Sequence, residues 1–225
     1  MTVIQISFPC IENCSKCELC KQIEQLQNSK IKTYVDDRIA EFKNICLSDK
    51  KELFLEMCFC ILTANFNAMR AIQIQEQIGI DFIILSQEDL ARKLKDVGYR
   101  FPNIRAQYIC ESRKHYHTLR EKILSFSYTE QKLLRTWLVK NIKGLGLKEA
   151  SHFLRNIGYE HCAIIDFHII DLLVSYGIIE RPKNLTKKRY EEVELILEKI
   201  AHIQGVNLAE LDLYLWYLET GKILK

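Results

Sequence analysis

The chain has 225 residues, 48% of them hydrophobic, with 32 Lys or Arg against 29 Asp or Glu for a formal net charge of +3. That length and apolar content suit a sizeable core in one globular unit or two intimately packed lobes, and argue against independent domains. No apolar run approaches the roughly 20 residues of a membrane span, and MTVIQISFPC lacks the basic start and long apolar core of a signal peptide. An intracellular, cytoplasmic protein is expected, and its nine cysteines read as reduced thiols rather than disulfides.

Taken in chain order, residues 1–20 form a Cys-rich extension. In CIENCSKCELC, the residues Cys10, Cys14, Cys17 and Cys20 have the chemistry to hold zinc or an iron–sulphur cluster, since thiolates suit both. An unstructured extension is the other reading. The first three also match the spacing of radical-SAM enzymes, but the chain lacks the strand–helix repeats of that fold. From residue 21 onward, apolar residues recur at three- and four-residue spacing with no sustained period of two, which predicts an all-α fold. Helices are expected at 21–45 with a break near Asn28, then 49–64, 67–78, 86–96, 103–117, 129–141, 147–157, 166–177, 186–203 and 207–220. Breaks fall at Ser48-Asp49, Gly79, Gly98 with Pro102, Gly158, Gly177 and Pro182, and Thr186 is placed to cap the helix after it. Cys46, Cys58, Cys60, Cys110 and Cys162 sit among apolar residues and are expected to be buried thiols.

Charge is uneven along the chain. From Gly98 to Lys148 there are 11 Lys or Arg against 3 Glu, a net +8 that leaves −5 for the remainder. Such a concentration is what a footprint for a polyanion looks like, although solvated helix faces produce the same pattern. Inside it lies IKGLGLKEASHFLRNIG, residues 142–158. One helix ends, Gly144-Leu145-Gly146 turns the chain, and a second begins with Ala150, Phe153, Leu154 and Ile157 on its inner face. This is a helix-hairpin-helix, whose glycine turn and following helix N-terminus suit one DNA phosphate. A plain connection between antiparallel helices is the alternative. Lys148 stands in the first turn, where the helix dipole disfavours a cation. A phosphate contact excuses it, and so does a nucleophilic amine able to form a Schiff base. Eighteen residues on, Asp166 is an N-cap candidate for helix 166–177. Capping and catalysis are compatible, because a side chain fixed at a helix start is well positioned.

The hairpin with Lys148, followed at this spacing by Asp166, resembles the helix-hairpin-helix DNA glycosylase superfamily. The runs CFCILTANF, NIKGLGLKEASHFLRNIGY, AIID and ELDLYLWYLETGKILK resemble, within it, the archaeal-type or second class of 8-oxoguanine DNA glycosylase/AP lyases, over about Cys20 to Lys225. The resemblance implies a two-lobed fold, with one lobe of about 49–146 and another of about 21–48 plus 147–225. DNA would lie in the cleft between them, with Lys148 and Asp166 facing each other across it. Lys148 takes the place of the lysine nucleophile and Asp166 that of the catalytic aspartate, so both base excision and strand nicking are implied, with no cofactor for catalysis. The partner implied is double-stranded DNA carrying 8-oxoguanine or an abasic site, with no membrane involved and a monomer as the expected state. Discrimination of the oxidised base involves the family's C-terminal lysine, here Lys225, with Trp216 and Asp212 as further base-recognition candidates. Trp216 also fits a buried stripe. Gly144, Gly146 and Lys143 are DNA-binding candidates, joined by Asn65 as gap filler and by Arg100 and Phe101 as wedge candidates on a loop tip. The Cys10 to Cys20 cluster is a departure from the family pattern.

Three alternatives are separable. A noncatalytic hairpin module would bind DNA without nicking it, and a glycosylase for another damaged base would not depend on Lys225 for discrimination. A metal-centred redox or sensor protein would need the cysteine cluster, whereas a glycosylase beginning at Lys21 is expected to keep its activity.

Overall fold

The computed structural model describes residues 17–47 and 49–225. The regular elements among them are helical: α1 (Glu18–Gln27), α2 (Ile31–Leu47), α3 (Lys50–Thr63), α4 (Ala68–Ile78), α5 (Asp81–Ile84), α6 (Gln87–Asp96), α7 (Pro102–Ser112), α8 (Leu119–Leu124), α9 (Gln131–Asn141), α10 (Leu147–Asn156), α11 (Phe167–Ser175), α12 (Lys187–Ile203) and α13 (Leu208–Thr220). Short 3-10 turns occupy Arg113–His115 and Tyr128–Glu130.

Side-chain caps set six of these thirteen helix starts. The side chains of Asp49, Asn67, Ser86, Asp166, Thr186 and Asn207 each accept a hydrogen bond from a backbone N–H of the following first turn. Each such cap contributes about 1 kcal/mol. The expected break near Asn28 is real, with Asn28 capping the end of α1. Helices α5 and α8 were not expected. At 4 and 6 residues they are too short to display a helical period. The expected helix 103–117 ends at Ser112 and continues as a 3-10 turn.

The described residues divide into two compact units, one of 40–162 with 224, the other of 17–39 with 163–223 and 225. The first is built around α3, whose residues Phe54 and Met57 to Leu62 are all 0% exposed. A helix buried on every side is a central helix, and α4, α7, α8 and α10 pack against it. Helix α10 therefore groups with the segment before it. The boundary expected at 146/147 falls instead at 162/163, because Ala150, Phe153, Leu154 and Ile157 lie in the same core as α3. In the second unit α13 packs on α1, α11 and α12, burying Leu211, Leu213, Tyr214 and Leu215 alongside a core that includes Leu19, Ile23 and Leu197.

Candidate functional site

The turn between α9 and α10 is a tight hairpin. The Leu145 N–H donates to the Ile142 carbonyl at 3.2 Å, and Gly144 takes φ +92, a left-handed conformation that favours glycine. A β-carbon on Gly144 would lie 2.6 Å from Cδ2 of Tyr108, so the position needs glycine for space as well as for conformation. Gly146 has extended backbone at φ −85 and ψ −171, and its N–H donates to Glu149 Oε2 at 3.1 Å. The acidic residue that helix electrostatics favour is thus present at the third helical position, next to Lys148. Lys143 is exposed and reaches Glu111 Oε1 at 3.2 Å, its Nζ lying 5.6 Å from the centre of the Tyr108 ring. Gln107 and Lys143 together hold the Glu111 carboxyl below its ordinary range.

Lys148 is the second residue of α10 and is half-buried. Its amine makes no hydrogen bond or ion pair with another described residue. The helix behind it is fixed unusually firmly. Beyond the four apolar residues of its inner face, Ser151, His152, Arg155 and Asn156 are at most 6% exposed. Arg135 Nη1 donates to Ser151 Oγ at 3.0 Å, Asn156 Nδ2 donates to Glu56 Oε1 at 2.6 Å, and Arg155 Nη2 donates to Asn156 Oδ1 at 2.8 Å. The ring of His152 stands edge-on to Phe59 at 5.5 Å. Removing one member of such a buried network strands the others, so these residues resist movement of α10.

Asp166 is half-buried and caps α11, its Oδ1 accepting the Ile169 N–H at 3.1 Å. Its second oxygen has no bond among the described residues. The segment leading to it, 163–165, is buried and is clamped by α12. The Tyr190 hydroxyl donates to the Ala163 carbonyl at 2.7 Å and accepts from Ile165 N–H at 3.2 Å, while Glu194 Oε1 accepts from Ala163 N–H at 2.9 Å. Sequence reasoning missed Tyr190 and Glu194. The only local signal was an acid and a tyrosine at four-residue spacing in a charged helix, which also describes an ordinary solvated face.

Among the base-recognition candidates, Trp216 is half-buried and departs from the core stripe Leu211, Leu213, Tyr214 and Leu215. Its indole stands edge-on to His168 at 5.6 Å, and its Nε1 is buried without a hydrogen-bond partner among the described residues. Asp212 is 9% exposed. Lys225 is half-buried and interacts with another group. Phe167, beside Asp166, is 69% exposed.

Asn65 is exposed just after α3 and takes φ 56. Arg100 and Phe101 follow a Schellman turn at the end of α6, in which Tyr99 N–H donates to Leu94 O and Gly98 N–H to Lys95 O, both at 2.9 Å. Phe101 is half-buried against the core with the Arg100 guanidinium 4.8 Å from its ring centre, so it is less exposed than a loop tip predicts.

The basic segment needs a correction. Arg105 and Arg135 are 8% and 3% exposed, and Arg113 is half-buried, donating to the backbone carbonyls of Phe82 and Leu85. Part of the local positive charge thus holds the fold together instead of facing a polyanion. Of the cysteines, Cys10 and Cys14 lie outside the described residues, as does the side chain of Cys46. Cys17 and Cys20 are buried at the start of α1. Cys58, Cys60 and Cys162 are buried thiols, and Cys110 is only half-buried. Among the described residues no group of three or more His, Cys, Asp or Glu is placed to hold a metal ion, and no helix is long and apolar enough to cross a membrane.

An all-α chain with a hairpin, a lysine at the start of its second helix and a capping aspartate beyond it defines a helix-hairpin-helix glycosylase fold. The model of the 8-oxoguanine DNA glycosylase family matches residues 35–206. The chain is 50% identical over 209 residues to an 8-oxoguanine DNA glycosylase/AP lyase of Korarchaeum cryptofilum, covering 92% of this chain and 98% of that one. It is similar to the crystal structure of the Methanocaldococcus jannaschii 8-oxoguanine DNA glycosylase, with a TM-score of 0.89 at 48% identity over 95% of this chain and 99% of that one. A structure of the M. jannaschii glycosylase/lyase in complex with a 15mer DNA containing 8-oxoguanine matches with a TM-score of 0.88 at 48% identity, over 92% and 99% of the two chains. The chain belongs to the 8-oxoguanine DNA glycosylase family.

Proposed function

We propose that Lys148 is the nucleophile and Asp166 the catalytic carboxylate of this DNA glycosylase/AP lyase, which removes 8-oxoguanine from duplex DNA and nicks the strand. The observation that carries the assignment is a half-buried amine with no described partner, held on a helix whose remaining side chains are locked. In this reading the neutral amine attacks C1′ of an extruded nucleotide. The C1′–N9 bond breaks and the base leaves with a proton given up by the attacking amine; the C1′–O4′ bond then opens, O4′ takes a proton from water, and the sugar is left as a protonated imine on Lys148. Loss of a C2′ proton then expels the 3′ phosphate, which is the nick. Asp166 stabilises positive charge developing on the sugar and relays protons through the oxygen not used by its cap.

Lys225, Trp216 and Asp212 are assigned to the base, Gly144, Gly146 and Lys143 to the phosphate backbone, and Asn65, Arg100 and Phe101 to the gap and orphan base left by extrusion. At the hairpin, the Glu149 carboxylate on the Gly146 N–H has to share or yield that donor to a phosphate. Lysine supplies the nucleophile, so the chemistry uses no cofactor, and the enzyme acts with the nucleoid in the cytoplasm. Cys10, Cys14, Cys17 and Cys20 are assigned apart from the reaction, as ligands for zinc or an iron–sulphur cluster.

The test is borohydride trapping on a duplex with one 8-oxoguanine. A covalent adduct is expected with the wild type and none with Lys148→Gln or with undamaged duplex. An adduct that persists in Lys148→Gln moves the nucleophile elsewhere.

A further inference from the structure

Ala64, which precedes Asn65, and Phe101, which follows Arg100, lie 37 residues apart in sequence and share one buried guanidinium. Arg105 lies on the first turn of α7 and is 8% exposed. Its Nη2 donates to the Ala64 carbonyl at 2.9 Å and its Nε to the Tyr99 hydroxyl at 3.3 Å. Its Cζ lies 5.9 Å from the ring centre of Phe101 and 5.7 Å from that of Tyr108. Tyr99 extends the same junction, because its hydroxyl donates to the Leu62 carbonyl at 2.7 Å and its ring is 4.5 Å from Phe66. The residues flanking Asn65 and those flanking Arg100 are thereby held through one cation and one phenol.

Two features call for more than a packing role. No carboxylate among the described residues pairs with Arg105, and a buried charge satisfied only by a carbonyl, a hydroxyl and ring faces is a costly way to fill a core. Asn65 is also the one described non-glycine residue with positive φ. Such a conformation persists only where its surroundings over-determine it, and it concentrates at working sites.

We infer that Arg105 is a positioning residue for DNA distortion, its planar fork locking the turn that carries Asn65 to the loop that carries Arg100 and Phe101. Gap filler and wedge then meet the duplex in one fixed relation. The inference rests on the assignment of those three residues above. Lysine cannot substitute, since a point charge reaches the Ala64 carbonyl or the ring faces but does not bridge them as a fork does.

The experiment compares two substrates in Arg105→Lys. Single-turnover excision of 8-oxoguanine from duplex should fall about ten- to a hundredfold, as misplaced groups cause in other enzymes. Borohydride trapping on a single-stranded abasic oligonucleotide, which requires no base to be drawn from a stack, should stay within about twofold of wild type. In an Asn65→Ala/Phe101→Ala background, Arg105→Lys should add no more than about a further twofold, because its effect passes through those side chains. Tyr99→Phe, which removes only the hydroxyl, should move the same readout by less, and it carries the test if Arg105→Lys does not fold. Equal losses on both substrates, or the full loss retained in the double background, would overturn the inference and leave Arg105 a structural residue. Wild-type duplex rates in Asn65→Ala and Phe101→Ala themselves would instead remove the assignment on which it rests.

Discussion

Replacing Gly144 by alanine should destabilise the protein by about 2–5 kcal/mol, whereas the same change at Gly146 should cost less than about 1 kcal/mol. At φ +92 a β-carbon is strained by about 1–2 kcal/mol on conformation alone. It would also lie 2.6 Å from Cδ2 and 3.2 Å from Cγ of Tyr108, and 3.4 Å from Cγ2 of Ile61. The Tyr108 ring has little freedom to yield, with Arg105 and Lys143 stacked near it, so overpacking adds about 1–3 kcal/mol. Gly146 differs on both counts. Its φ of −85 is open to any residue, and an added β-carbon meets only Glu149 Oε2 at 3.0 Å, the end of a flexible side chain. Urea denaturation followed by far-UV circular dichroism reads the difference. A loss of about 3 kcal/mol corresponds to roughly 6–12 °C in Tm for a chain of this size. Tyr108→Ala supplies the control, since the overpacking share of the Gly144→Ala penalty should vanish in that background. Equal penalties at the two glycines, or one at Gly144 that ignores Tyr108→Ala, would refute the reasoning.

Tyr190→Phe should lower stability by about 1–3 kcal/mol, by leaving the Ala163 carbonyl and Ile165 N–H without their shared partner. It should also slow excision more than DNA binding, because Asp166 follows directly. Parallel loss of kcat and affinity would count against a link to Asp166. For pH dependence, burial and the neighbouring Lys114 hold the His115 imidazole below its ordinary range, partly offset by a hydrogen bond to the Asn141 backbone. A depressed value means that the fold favours the neutral ring. The stability it contributes is therefore full above about pH 6.5 and is lost as pH falls through the folded value. His115→Gln should flatten the fall in urea midpoint between about pH 7.5 and about pH 5, and an unchanged slope would place the titration elsewhere. For the cysteines, metal analysis of the full chain against Cys10→Ser/Cys14→Ser tests the ligand set, with unchanged metal content in the variant as the contrary result. Truncation at Lys21 is not a clean test, because it deletes Leu19, 0% exposed, together with the buried Cys17 and Cys20. Loss of activity there would report loss of packing.

The residues that do the proposed chemistry were legible because their signals are local. A hairpin needs glycine where φ turns positive, a capping aspartate stands where a helix begins, and both are written within a few residues of Lys148 and Asp166. Helix starts at Asp49, Ser86, Thr186 and Asn207 were readable for the same reason, since a cap bonds to its own first turn. Apolar period placed Ala150, Phe153, Leu154 and Ile157 inward, and all four are 0% exposed. What the sequence could not separate was charge at the surface from charge within the fold. Arg105 and Arg135 counted toward a basic footprint, yet one grips a carbonyl 41 residues away and the other a serine 16 residues away. Tyr190 and Glu194 hold the approach to Asp166 from 25 to 31 residues further along the chain. Local pattern decides which backbone turns where, because its hydrogen bonds close within a few residues. Which polar side chain is buried, and what it holds in place, depends on groups that only tertiary packing brings within hydrogen-bonding distance.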